Sequence, residues 1–152
     1  MDSRLAALDL AHPANRGVLA RLRANELALG VPMARPSAVR DPYLERGSHP
    51  DVVQRVWDEL GRGLPRASRA LVYGSVALVH AQAGIVLAVA FGTAYALRAP
   101  AVLLAEVEAA GLSAIHTCGG SSSSVEAFGP LWRFGAWHAR EPDWARAAHD
   151  EL

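Results

Sequence analysis

The stretch Ala83–Leu97, AGIVLAVAFGTAYAL, lies in a run without formal charge that starts after Arg69 and ends before Arg98. The run is long enough to cross a bilayer as a helix. Its side chains do not suit one. From Ile85 the odd positions read Ile85, Leu87, Val89, Phe91, Thr93, Tyr95 and Leu97, and the even positions Val86, Ala88, Ala90, Gly92, Ala94 and Ala96. Large groups alternate with small ones, which is the period of a strand; a lipid-facing helix has no reason to sort them. Upstream, His80, Gln82 and Gly84 interrupt the apolar run. Polar groups are costly at mid-membrane, whereas Gln-Ala-Gly between apolar runs is good turn chemistry. The stretch reads as sheet.

Four short strands are expected, near 70–73, 75–80, 85–91 and 94–98. Gly92-Thr93 would join the last two as a tight turn, with glycine supplying positive φ. A single long strand over 85–98, bulged at Gly92, is the alternative. The alanine-rich face would let a helix lie close.

Helices should flank this sheet. Ser48–Asp51 fits a capping box, and Val52, Val53, Val56, Trp57 and Leu60 form one apolar stripe. Asp51/Arg55 and Asp58/Arg62 have i,i+4 spacing on what would be its wet side, and Gly61, Gly63 and Pro65 end it. Further helices are expected over Ser3–Ala11, Asn15–Leu29, Pro100–Gly111 and from about Pro142. Residues 31–50 hold four prolines and no lasting period, and read as an irregular arm that Met33, Val39, Tyr43 and Leu44 could anchor. Ala114–Cys118 is a further strand candidate, and Gly119–Ser124 reads as a flexible loop. The expected fold class is α+β: a small antiparallel sheet of three to five strands, from about 70–98 with 114–118 as a candidate addition. N-terminal helices, a helix near 100–110 and a C-terminal helix would pack on it. The chain reads as one domain, 1–152, in which residues 1–65 are helical, residues 69–118 hold the sheet and a helix, and residues 125–152 form an aromatic segment.

The piece Leu87–Gly111, LAVAFGTAYALRAPAVLLAEVEAAG, resembles a segment of the N-terminal domain of TfoX-type competence regulators. There a strand, a tight turn, a strand ending in Tyr-Leu-Lys-like residues and a helix ending in Ala-Gly follow one another. The likeness covers about 25 residues and lies in the order of elements; Arg98 stands for the usual basic residue, and the alanine-rich strand departs from the pattern. It implies an antiparallel sheet followed by a packed helix, without catalytic machinery.

Composition narrows the function classes. In 152 residues, 15 arginines balance 15 acidic groups, and there is no lysine. No dense basic cluster marks a nucleic-acid interface or a membrane-surface face. The single cysteine, Cys118, excludes an internal disulfide, and the charged first residues are not a secretory leader. A cytoplasmic protein is the natural expectation.

Candidate chemistry is sparse. Trp132, Trp137 and Trp144, with Phe128 and Phe134, concentrate aromatic surface near the C-terminus. In a glycine-containing loop such groups either build a partner or ligand surface, for which Trp132, Trp137 and His138 are the candidates, or seal a sheet face. Arg133 and Arg140 are the only cations close enough to support stacking of a nucleic acid on them. Tyr73 and His80 fall at strand ends, where a phenol and an imidazole could serve acid–base chemistry or simply line a rim. His116 and Cys118, two apart on one strand candidate, could form an activated thiolate. The six histidines lack metal-ligand spacing, no phosphate loop is present, and neither metal nor cofactor is expected. The chain therefore reads as a non-catalytic binding, adaptor or regulatory domain using its aromatic C-terminal segment, with a protein partner or small molecule unspecified and a homodimer conceivable through an uncovered edge. The alternative is a small-molecule sensor or an enzyme with a pocket around His80 and Tyr73.

Overall fold

A computed structural model describes residues 8–24, 33–34, 52, 54–65, 68–91, 94–118, 121–124, 128–136 and 144–152. The uncharged run folds into antiparallel strands, as its period requires. With β1 (Met33–Ala34), β2 (Arg69–Val72), β3 (Ser75–Val79), β4 (Val86–Phe91), β5 (Ala94–Arg98) and β8 (Trp132–Ala136) form one sheet in the order β1-β2-β3-β4-β5-β8. A second, two-stranded sheet pairs β6 (Ile115–Cys118) with β7 (Ser121–Ser124). Ser121–Ser124 is thus a strand and not the flexible loop expected from its composition. A ladder is made by backbone groups, so a serine run placed beside another strand can pair whatever its side chains. Among the described residues no helix is long and apolar enough to cross a membrane.

The large/small alternation has a cross-strand meaning. Phe91 pairs with Ala94, so the register sets Ala90 opposite Tyr95, Val89 opposite Ala96 and Ala88 opposite Leu97. Each pair combines one bulky and one small side chain. Between Leu78 and Val79 the register with β4 shifts, because Leu78 faces Ala88 while Val79 faces Val86. Leu87 is the extra residue of this bulge. One cluster consequently gathers Leu87, Ala88, Ala90, Tyr95 and Leu97, and the other Val86, Val89 and Ala96. No uniformly small face exists, contrary to expectation; bulge and hairpin register share the large side chains between both faces.

Helices cover both faces, which is why β3 is buried at every position. On the first face lie α2 (Arg55–Leu60), α3 (Leu104–Ala109) and α4 (Trp144–Glu151), through Val56, Leu60, Val107, Trp144, Ala145 and Ala148. On the second lies α1 (Arg16–Ala24), through Val18, Leu19 and Leu22, together with Phe128, Trp132 and Phe134. Each large apolar side chain among them contributes about 1.5–3 kcal/mol on burial.

Residues 8–12 are turn and coil, so the Ser3–Ala11 helix does not include them, and residues 1–7 lie outside the described residues. A 3₁₀ turn, Pro13–Asn15, leads into α1. Of the anchors proposed for the proline-rich arm, only the backbone of Met33 is described. The stripe Val52, Val56 and Leu60 is buried, but α2 is wound as a π-helix. Its wider turn brings Arg55 inside, 5.6 Å above the Tyr95 ring and paired with Glu59, while Asp58 pairs with Arg69 at 3.1 Å. The capping box over 48–51, and with it the Asp51 of the expected Asp51/Arg55 pair, lies outside the described residues.

Candidate functional site

The chain before α1 builds its own start. Pro13 has no N–H to lose at the first turn, and the His12 Nδ1 accepts the Ala14 amide at 3.0 Å. Asn15 then anchors the segment to the sheet. Fully buried, it donates to the Asp9 and Gly84 carbonyls at 2.7 and 2.8 Å and accepts the Val86 amide at 2.9 Å. The Asp9 amide also donates to the Gly84 carbonyl at 3.0 Å. The Asn15 side chain thereby ties the entry of α1 to β4 and to the loop before it.

With α1 held there, Val18, Leu19 and Leu22 face inward, while Arg16, Ala20 and Arg23 are exposed along an adjoining stripe. Across from this stripe the β2–β3 hairpin turns on Tyr73 and Gly74, whose φ values are +48° and +85°. Val72 pairs with Ser75, so the loop has two residues, both left-handed, as a type I′ turn demands. Tyr73 is therefore a turn residue and not the last of a strand. A bulky side chain in this region costs about 1–2 kcal/mol. Burial of the ring against α1 offsets that cost, and the Arg23 guanidinium lies 5.8 Å from its centroid.

Between these elements runs a groove of about 460 Å³, lined among the described residues by Leu10, Ala11, His12, Arg16, Leu19, Ala20, Arg23 and Tyr73. Its described lining holds two guanidinium groups, an imidazole and a phenol, with no carboxylate. Because the His12 Nδ1 lone pair is used by Ala14, the neutral ring carries its hydrogen on Nε2 and is a donor.

His80 stands elsewhere. It follows β3, five positions beyond Ser75, and shares its parity with Val76 and Leu78 of the first face, whereas Tyr73 packs with the second. The structure does not bring Tyr73 and His80 together. The His80 Nδ1 accepts the Gln82 and Ala83 amides at 3.1 and 2.9 Å, closing the turn before β4. Its ring stacks on His149 of α4 with centroids 4.1 Å apart, and the His149 Nδ1 lies 2.9 Å from an Asp150 carboxylate oxygen. Burial, and then the charge of His149, holds the His80 imidazole below the ordinary histidine range.

Trp132 is core. It is 1% exposed and packs on Phe128, which meets Phe134 edge-to-face, so these aromatics seal the second sheet face. Arg133 is held by Glu108 at 2.7 Å and by the carbonyls of Pro130 and Trp132, so it is not a cation for stacked bases. Ser113 and Phe134 exchange two backbone hydrogen bonds along the outer side of β8. Trp137 and His138 lie outside the described residues, as do the side chains of His116 and Cys118 on β6. Among the described residues no group of three or more His, Cys, Asp or Glu side chains could hold a metal ion.

The groove residues His12, Arg16 and Arg23 escaped the sequence reading. Arg16 and Arg23 are seven apart, two helical turns, which is legible; that they border a groove depends on Tyr73 arriving from a distant hairpin. No known family model, curated protein or solved structure matches the chain.

Proposed function

We propose that this chain is a small-molecule-binding domain whose groove between α1 and the Tyr73 turn takes an acidic ligand. The observation that carries this reading is the lining itself: Arg16, Arg23 and the Nε2–H donor of His12 around Leu10, Leu19 and Ala20, with no described carboxylate to neutralise them. In a chain of zero net charge, such a local excess is a feature of the fold and not of composition. A strained turn residue forming one wall supports it, because strain persists where the surroundings over-determine it and is concentrated at ligand sites. A binding role suits the groove better than catalysis: its arginines are permanent cations, and the one histidine lone pair facing the backbone is already used.

An adaptor role for the C-terminal aromatics would rest on Trp137 and His138, since Trp132 is buried. The sensor reading is preferred for that reason. A cytoplasmic setting belongs to the proposal on the strength of the single cysteine. The test is a thermal-shift and calorimetric screen of aliphatic and aromatic carboxylates against wild type and the double variant Arg16→Gln/Arg23→Gln. Acidic compounds should raise the wild-type Tm by mass action and leave the variant unmoved. Equal shifts in both proteins would refute the assignment.

A further inference from the structure

Resting on that reading of the groove, we infer that its ligand is a linear molecule with an anionic group at each end and an apolar middle, of the α,ω-dicarboxylate class. Arg16 and Arg23 are seven residues apart on α1, about 10 Å along the axis at 1.5 Å per residue and within roughly 20° of the same side. Between them in the chain lie Leu19 and Ala20, which line the groove together with Leu10, and none of these side chains carries a polar group. The site is thus two cationic ends joined by an apolar floor.

The ends are built differently. At one, the exposed Arg23 guanidinium lies 5.8 Å from the Tyr73 centroid, a cation–π contact made by the ring face that uses none of its N–H donors as hydrogen bonds. At the other, Arg16 begins α1 beside His12, whose Nε2–H adds a second donor. One planar guanidinium at each end matches a carboxylate, which it binds bidentately. A phosphate would call for several converging amides or cations at one point, and the groove spreads its cations apart. The nearest described acid in sequence, Asp9, is not among the residues that line the groove.

Calorimetric titration of the full chain with diacids of graded length, succinate to dodecanedioate, tests the inference, with octanoate as the one-ended control for suberate. Affinity should peak at an intermediate length that spans both arginines. Arg16→Gln and Arg23→Gln should each weaken the best diacid roughly tenfold or more, since each removes a charge-assisted pair. Both positions are exposed, so far-UV circular dichroism should stay at the wild-type spectrum and unliganded Tm should hold for Arg16→Gln, while Arg23→Gln should lose only the few degrees that go with its contact to Tyr73. Octanoate should bind at least tenfold more weakly than suberate and respond to only one of the two substitutions. If octanoate matches suberate, or one arginine proves dispensable for every diacid, the two-ended ligand is overturned while the groove remains a carboxylate site. If no acid binds wild type, or binding survives both substitutions, the groove assignment falls with it.

Discussion

Replacing Asn15 should show how much the groove depends on one buried amide. Its Oδ1 accepts the Val86 amide, and its Nδ2 donates to the Asp9 and Gly84 carbonyls, so acceptor and donor ends are fixed by what surrounds them. In Asn15→Ala the Val86 N–H loses this acceptor in a buried site, at about 1–3 kcal/mol, and two further bonds worth about 1 kcal/mol each disappear. The carbonyls suffer less, because Gly84 keeps the Asp9 amide and Asp9 keeps the His12 amide. The sum is about 3–5 kcal/mol, or roughly 6–20 °C in Tm for a domain of this size. Asn15→Asp is the sharper probe. One carboxylate oxygen can still accept from Val86, but the other would face two carbonyls. Near neutral pH it should cost at least as much as alanine. Burial beside acceptors favours the protonated acid, so the folded pKa is raised, and the excess penalty over Asn15→Ala should shrink as pH falls. Chemical denaturation at two pH values measures both differences, and amide exchange of Val86 reports the local opening. An Asn15→Ala variant within about 0.5 kcal/mol of wild type, or an aspartate tolerated at neutral pH, would contradict this account of the anchor.

Two other outcomes follow from the sheet and its helices. A Cβ at Gly135 would meet Leu112 Cδ2 and come within 2.5 Å of the ring and hydroxyl of buried Tyr95, its cross-strand partner. Gly135→Ala should therefore cost about 1–3 kcal/mol in denaturant unfolding, and less in a Leu112→Ala background; simple additivity of the two would sink the steric account. The folded pKa of His80 is depressed by burial and by His149, so its contribution is complete above the unfolded value of 6.5 and is lost as pH falls through the lowered folded value. Stability should decline on acidification from about pH 7 toward about pH 5, and less steeply in His80→Asn, which retains an acceptor for the turn amides. Parallel profiles for the two proteins would show that His80 is not the group responsible.

How far the sequence could be read varied with the range of the interactions. Period and turn residues are local, so the strands over 69–98 and the stripe of Val52, Val56 and Leu60 were legible within a residue or two. The bulge at Leu87 was not, because it is a mismatch between two strands and neither records it alone. Tyr73-Gly74 shows the same limit. Glycine marked a break, but the left-handed tyrosine follows only from the pairing of Val72 with Ser75. Aromatic composition near the C-terminus left two readings, a partner surface or the sealing of a sheet face, and only tertiary packing decides between them by making Phe128, Trp132 and Phe134 core.

The antiparallel α+β class is written in the chain itself, since side-chain period and apolar stripes depend on neighbours a few positions away. Which large side chains share a face is not written there, nor is the burial of Arg55 or the stacking of His80 on His149. The same holds for the groove that Arg16 and Arg23 line together with Tyr73. Each of these arises from register or docking between segments far apart in the chain, where the energy of an arrangement belongs to pairs of elements and cannot be assigned to either one.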